Sequence, residues 1–240
     1  MLMTIFVVPD IHGEYEKLLK LMDKIHKERK PKDKIVFLGD YIDRGNKSKE
    51  VINYIFDLKS NDENVITLLG NHDDAFWKNI EEIERLDIYN VEWFARYCIE
   101  TLESYGIDTT PLKSFELNQN EFYRNYFNKF VDDIKDFKTT KDYKNFKNLM
   151  ENCQNYHKEG KYIFSHSGGV HWKPINEQTL DQILWSRDFQ KRKDGFTHVC
   201  GHTPTISGEV EEHNGMLLCD VGAVFRDIDL PVIKLSQEGD

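Results

Sequence analysis

The chain has 240 residues, of which 42 are Asp or Glu and 32 are Lys or Arg, giving a formal charge of -10. That length can bury one substantial core, and the acidic balance argues against nonspecific binding to nucleic acid or anionic lipid, both of which need clustered cations. Cys98, Cys153, Cys200 and Cys219 are far apart with no CxxC pair, so neither a zinc knuckle nor a disulfide framework is expected, and the thiols read as buried packing groups.

The opening MLMTIFVVPD lacks a basic leader and is interrupted by Pro9-Asp10. No segment approaches the roughly 18 apolar residues that cross a bilayer, so a soluble, cytoplasmic chain without a membrane partner is expected. Thr4 to Val8 is a continuous apolar run rich in β-branched residues and predicts a buried strand. Tyr15, Leu18, Leu19, Met22 and Ile25 then recur at helical spacing. Lys34 to Leu38 is a second strand, Val51, Ile52, Ile55, Phe56 and Leu58 suggest a second helix, and Asn64 to Leu69 is a third strand. This β-α-β-α-β order predicts a largely parallel sheet covered by helices.

From about 75 to 158 helical spacing dominates, and the block reads as a helical insertion. Its faces are Phe76, Ile80 and Ile83; Val91, Phe94, Ala95, Cys98, Ile99 and Leu102; Phe122, Tyr123, Tyr126, Phe127, Phe130 and Ile134; and Tyr143, Phe146, Met150 and Cys153, with Gly160 as C-cap. Strands return at Tyr162 to Ser165, Phe196 to Cys200, Met216 to Cys219 and Val232 to Leu235. The short Asn214-Gly215 connection suggests antiparallel neighbours. With no repeat or linker in the chain, a single domain over 1–240 is the economical reading.

Each of the first three predicted strands runs into a polar cluster: Asp10-Ile11-His12-Gly13, Gly39-Asp40 through Arg44-Gly45, and Gly70-Asn71-His72-Asp73. Two later strands end similarly, at Ser165-His166 and Gly201-His202. Carboxyl ends of parallel strands share one edge, where ligands bind. Any one cluster could be a plain turn. Together they aim two Asp, one Asn and up to four His at one rim, a donor set suited to divalent transition metals such as manganese, iron or zinc. Six or more donors exceed what one ion needs if it also holds water and substrate, which implies two ions.

These segments, with Leu184-Trp185-Ser186-Arg187-Asp188 and Asp220-Val221-Gly222-Ala223-Val224-Phe225, resemble those of the metal-dependent phosphoprotein phosphatases of the calcineurin-like metallophosphoesterase superfamily, above all the compact bacterial and phage serine/threonine phosphatases. They occur in order across residues 5–225, leaving only the insertion unmatched. The resemblance implies an α/β fold with a central sandwich of two mixed sheets flanked by helices. It implies that Asp10 and His12 bind one divalent ion, that Asn71, His166 and His202 bind the other, and that Asp40 bridges them, with manganese favoured and iron or zinc as alternatives. A hydroxide shared by the ions would attack phosphorus in line with the leaving oxygen. Arg44 and Arg187 would grip the phosphoryl oxygens, and His72 would protonate the leaving alkoxide. Asp43 would accept a hydrogen bond from His72 and favour its imidazolium against the repulsion of the ions.

The implied partner is a phosphorylated protein or small phosphoester, with no stable nucleic-acid complex. Leu69 stands where many protein phosphatases carry an additional arginine, which leaves the symmetrical diadenosine tetraphosphate hydrolases as an alternative. Phosphatases acting on nucleic-acid ends or 2′,3′-cyclic phosphates are a further one. Thr203-Pro204 after His202 favours the protein phosphatase branch. A catalytically silent metal-binding module is disfavoured, because every ligand position and His72 are kept. Among the other histidines, His26 is expected on a helix's polar side, His157 near a helix end, His213 beside a turn and His198 in packing. His171, after Gly168-Gly169, is a candidate to face the cleft. Lys129, Lys135, Lys138, Lys141, Lys144 and Lys147 are nearly balanced by Asp132, Asp133, Asp136 and Asp142, and read as a solvated helical face.

Overall fold

The computed structural model describes residues 3–237. The first part comprises β1 (Met3–Val8), α1 (Tyr15–Glu28), β2 (Lys34–Phe37), α2 (Ser48–Asn61) and β3 (Val65–Thr67). Seven helices follow: α3 (Asn71–Glu81), α4 (Ile88–Tyr97), α5 (Ile99–Ser104), α6 (Thr110–Leu117), α7 (Gln119–Asn125), α8 (Phe127–Thr139) and α9 (Lys141–Glu151). The remainder is β4 (Tyr156–Glu159), β5 (Tyr162–Ser165), α10 (Leu180–Trp185), β6 (Thr197–Cys200), β7 (Glu211–His213), β8 (Met216–Leu218) and β9 (Ile233–Gln237).

The strands form two mixed sheets, ordered β3-β2-β1-β9 and β4-β5-β6-β8-β7. In the first, β1, β2 and β3 run parallel, with Val7 opposite Val36 and Val36 opposite Ile66, while β9 is antiparallel to β1. In the second, β5, β6 and β8 run parallel, and the outer strands β4 and β7 are antiparallel to their neighbours. The first three strands are predominantly apolar because both of their faces are covered. Alternate side chains point opposite ways. Ile5, Val7, Val36, Leu38 and Ile66 enter the layer between the sheets, meeting Tyr162, Phe164, Val199 and Cys219. Phe6, Val8, Ile35, Phe37 and Val65 face outward into a larger core with Leu18, Met22, Val51 and Ile55 of α1 and α2.

That larger core continues without a break into the insertion, where Phe76, Phe94, Phe122, Phe130 and Phe146 are fully buried. Phe76 meets Phe146 edge-on at 5.4 Å between centroids, and Phe94 meets Phe130 at 5.6 Å, a preferred aromatic geometry. Two of the expected helical faces are each divided, at Cys98 and at Tyr126.

The insertion also ends earlier than its spacing suggests. Helix α9 stops at Glu151, and Tyr156–Glu159 is an edge strand paired with β5. Gln154 bonds the backbone of Thr67 and Leu69, returning the chain beside β3. Gly160, with φ of 53°, therefore occupies the β4–β5 hairpin rather than a helix end, and His157 lies in a strand. Charged side chains suit an edge strand, and the stretch Tyr-His-Lys-Glu shows no apolar alternation to betray it. Asn214 and Gly215 both take positive φ in the β7–β8 turn, as a two-residue hairpin with right-handed strand twist requires. No helix among the described residues is long and apolar enough to cross a membrane.

Candidate active site at the sandwich rim

The loops after β1, β2, β3, β5 and β6 converge on one edge and hold one another by backbone bonds. The amides of Ile11 and His12 donate to the Asp40 carbonyl at 3.0 and 2.9 Å, and Gly45 donates to the His12 carbonyl at 2.9 Å. Across the sandwich, the His202 amide donates to Asp10 Oδ2 at 2.9 Å, and within the five-stranded sheet the Gly201 amide donates to the His166 carbonyl at 2.8 Å. The left-handed backbone conformation recurs here: His12, Asp40, Asp43, Arg44 and His202 have φ between 48° and 72°. Such conformations persist at roughly 1–3 kcal/mol each only where surroundings impose them. Two glycines permit the close approach. A Cβ on Gly70 would overlap the Asp40 carboxylate, and one on Gly201 would overlap Asp10 Oδ1.

The imidazoles are oriented by their rear nitrogens. His12 Nδ1 lies 2.7 Å from the Ile42 carbonyl and His166 Nδ1 lies 2.9 Å from the Leu38 carbonyl, so these nitrogens carry the protons. Burial disfavours charge on the His166 ring, but Asp40 and Asp10 raise its pKa to about 10, so its Nε2 also holds a proton, which a bound cation would displace; both rings turn Nε2 inward, as a metal-binding imidazole must. Asp40 stands between them, with Oδ2 at 3.4 Å from His12 Nε2 and Oδ1 at 3.4 Å from His166 Nε2. Asn71 Oδ1 lies 2.7 Å from His166 Nε2 and 2.8 Å from His202 Nδ1. Donor atoms of His12, Asp40 and His72, and separately of Asp40, His166 and His202, lie within 4.8 Å of one another. Asp10 joins neither compact group, although its Oδ1 is buried close by.

A pair of divalent cations fits this donor set. Asp10 Oδ1 and His202 Nε2 are buried without a hydrogen-bond partner, which is costly unless another group satisfies them. Burial, helped by the nearby His166, lowers the His202 pKa to about 3; burial and the neighbours His72 and Arg44 bring His12 to about 3 as well, against the pull of Asp40. Both are therefore neutral ligands at ordinary pH. Burial and the facing Asp220 raise the Asp10 carboxyl well above the usual range. Burial acts likewise on Asp40, but the imidazoles of His166, His72 and His12 outweigh it and hold that carboxyl well below the usual range. Asp220, not assigned a role from sequence, is buried after β8 and pushed up to about 6 by burial and by Asp40. Three carboxylates crowded in this way call for cationic charge.

His72, the second residue of α3, turns its ring between the donor groups and the insertion. Its Nδ1 lies 2.8 Å from Asp43 Oδ2, and Asp43 is completely buried. Its Nε2 lies 3.0 Å from Arg44 Nη2. Guanidinium can only donate, so this contact suits the neutral ring. Burial also disfavours the charged ring, but the Asp40 and Asp43 carboxylates prevail and raise the His72 pKa. A cavity of about 100 Å³ opens on His12, Asp40, Arg44, Asn71, His72 and His202, with Arg187 also on its wall. Ligands of drug size need roughly 300 Å³ or more, so this cavity suits a group the size of a phosphoryl, with the rest of the substrate on the rim. Aromatic rings complete the wall: Trp93 and Tyr97 from α4 stand 5.3 and 5.4 Å from the His72 ring, and Trp185 stands 5.8 Å from Trp93.

All ten residues singled out from the sequence thus lie at this rim. Among the other histidines, His198 is buried with Nε2 2.8 Å from Asp194. His171 is tied to Asp188 at 2.6 Å and does not line the cavity. Lys129, Lys135, Lys138 and Lys147 pair with Asp108 and Asp133, Glu84, Glu81, and Glu81 and Glu151 respectively, as a solvated face would. The sequence reading missed Trp93 and Tyr97, because helical periodicity does not reveal which turn docks on the sandwich. Asp220 was detectable, since it follows a strand like the other rim carboxylates.

The profile of the calcineurin-like phosphoesterases matches residues 3–233, and the chain belongs to that metallophosphoesterase family, whose members use divalent metal ions. Over 70 residues it is 43% identical to the serine/threonine-protein phosphatase PP1-delta of Caenorhabditis elegans, covering 29% of this chain and 22% of that protein. Over 71 residues it is 38% identical to the symmetrical bis(5′-nucleosyl)-tetraphosphatase of Actinobacillus succinogenes, covering 30% of this chain and 24% of the relative. The matched stretches are thus a minor part of both relatives. A solved structure of a candidate diadenosine tetraphosphatase superposes with a TM-score of 0.61 at 14% identity, covering 99% of this chain and 95% of the other, a likeness of fold.

Proposed function

We propose that the protein is a dinuclear-metal phosphomonoesterase of the serine/threonine protein phosphatase type, with broad specificity. The observation that carries this reading is His72, with Nδ1 on buried Asp43 and Nε2 turned to a small cavity shared with Arg44, Arg187 and the metal donors. Asp10 and His12 would hold one ion, Asn71, His166 and His202 the other, with Asp40 between them. Manganese is the favoured ion. The ions supply positive charge that polarises the phosphoryl group and acidifies the attacking water.

The chain's own residues do the rest. Arg44 and Arg187 orient the phosphoryl oxygens by forked hydrogen bonds and stabilise the charge that grows on them. A phosphoryl group entering the cavity replaces His72 as the partner of Arg44. Asp43 keeps the His72 proton on Nδ1 while Nε2 delivers a second proton to the leaving oxygen. Trp93 and Tyr97 keep water from that side of the ring.

Metal-stripped protein reloaded with manganese, iron, zinc or magnesium tests the reading on nitrophenyl phosphate, phosphoserine and phosphotyrosine peptides and diadenosine tetraphosphate. Turnover of the monoesters is expected to return with manganese; failure on every ester with every ion overturns it. His72→Asn is expected to lower kcat about 10²- to 10⁴-fold on phosphoserine peptide, and much less on nitrophenyl phosphate, whose leaving group needs no proton. Equal losses remove the acid role.

One observation favours a second reading as a symmetrical dinucleotide tetraphosphate hydrolase: Trp185, 42% exposed, stands at the cavity mouth beside Trp93. An exposed indole there can stack on a nucleobase, worth about 1–3 kcal/mol. Under this reading Trp185→Ala raises KM for diadenosine tetraphosphate about tenfold and leaves phosphoserine peptide unaffected.

A further inference from the structure

Asp43 is held from behind by the helical insertion. Its Oδ2 faces His72, while Oδ1 lies 2.8 Å from Thr101 Oγ1, in α5. Thr101 Oγ1 also receives the Asp43 backbone amide at 2.8 Å and lies 3.0 Å from Ser48 Oγ, at the start of α2. A hydroxyl has one proton. If Thr101 gives its proton to Asp43 Oδ1, Ser48 must be the donor in the contact between the two hydroxyls. Ser48 Oγ in turn accepts from the Asp43 amide at 3.2 Å. The chain of donors therefore has one direction, from Ser48 to Thr101 to Asp43, with His72 donating to the other carboxylate oxygen. Asp43, Ser48 and Thr101 are all fully buried, so no water competes for these atoms. Cys98, three residues before Thr101, adds its thiol 3.6 Å from Asp43 Oδ2.

We propose that Thr101 is a positioning residue for His72: its hydroxyl fixes the Asp43 carboxylate plane and so aims the His72 ring. This rests on the reading of His72 as the leaving-group acid. The backbone strengthens the argument. Asp43 holds a left-handed φ of 72°, and its amide is pinned by the two hydroxyls. Removing the Thr101 hydroxyl leaves one buried carboxylate oxygen without its donor and leaves the Asp43 amide only its longer bond to Ser48. Helix threonines ordinarily spend their hydroxyl on their own preceding turn; this one spends it on another element. The insertion therefore reaches the acid twice, through Trp93 and Tyr97 on the ring and through Thr101 behind its carboxylate.

Thr101→Val keeps the shape and removes the hydroxyl, and Thr101→Ser keeps the hydroxyl. On phosphoserine peptide, Thr101→Val is expected to lower kcat about 10- to 100-fold, the size typical of an outer positioning contact, with KM within about twofold and the loss on nitrophenyl phosphate under about threefold. Thr101→Ser is expected to recover most of it. In the metal-free protein, the His72 Nδ1–H correlation in a nitrogen–proton NMR spectrum is expected to move or broaden in Thr101→Val and to return in Thr101→Ser. Equal losses on both substrates, no recovery in Thr101→Ser, or an unmoved His72 signal overturns the inference. If Thr101→Val does not fold, Ser48→Ala, which removes the donor to Thr101, is expected to show the same leaving-group pattern at two- to fivefold, and a flat response overturns it. His72→Asn is run alongside. A steep leaving-group response there with a flat one in Thr101→Val defeats this inference alone, whereas a flat His72→Asn defeats the acid reading beneath it.

Discussion

At the rim of the sandwich, Asp10, Asp40, Asp43, Asn71, His72 and His166 are buried polar groups on loops from both sheets, with Asp10 Oδ1 left unpartnered, whereas the insertion buries Phe76, Phe94, Phe122, Phe130 and Phe146 against one another. Substitutions at the rim should change chemistry more than stability, because the buried charges there oppose one another in the absence of cations. Substitutions in the insertion core should do the reverse, because each ring contributes area and little else. The two regions meet at His72, whose backbone opens the first insertion helix and whose ring faces the cavity.

The largest effect is expected from Asp40→Asn. It retains the shape and the left-handed backbone, which Asn tolerates, but removes the charge between the two donor groups. Turnover should fall by about 10³-fold or more, the several kcal/mol that metal-held charge supplies, and metal content measured on the purified protein should drop. In the metal-free protein Asp10→Asn, which removes a carboxyl whose charge burial and Asp220 already oppose, should leave the melting temperature level or raise it; a sharp fall would mean that the rim carboxylates are structural and that the two regions do not differ in this way. Next, Phe94→Ala should cost about 3–5 kcal/mol in denaturant unfolding, with a single transition, because the insertion shares its core with α1 and α2. Two separate transitions would divide the chain into independently folding parts. The smallest effect belongs to Lys135→Ala, which breaks an exposed pair with Glu84. It should leave both the melting temperature and turnover unchanged. A gain or loss of binding to single-stranded RNA in this variant would contradict a merely solvated face.

The rim was legible because strands announce their ends. A short, mostly apolar run separated by one residue from Asp10, Asp40 or Asn71 places each side chain at a known edge, and the parallel order brings those edges together. The pairing of Asp43 with His72 followed from the resemblance and is present at 2.8 Å. The insertion was legible only as helices. Thr101 and Trp93 lie in stretches whose period gives an inward face without naming its neighbour, so their contacts with Asp43 and His72 depend on tertiary docking. Strand β4 escaped notice for a different reason: an edge strand needs no apolar alternation, and its charges look like the end of a helix.

The loop ends that carry the donor atoms belong to different sheets. Asp10 and Asp40 extend from the four-stranded sheet, His166 and His202 from the five-stranded one, and the bond from His166 Nδ1 to the Leu38 carbonyl already ties the two. Ions bound there would act as rivets through the open edge of the sandwich, fastening its two leaves as well as serving the reaction. Starved of metal, the protein should loosen first at this edge while the apolar layer between the leaves stays closed, so amide exchange in the loops around residues 10–13, 39–45 and 200–203 would gauge metal supply before the core registers any change.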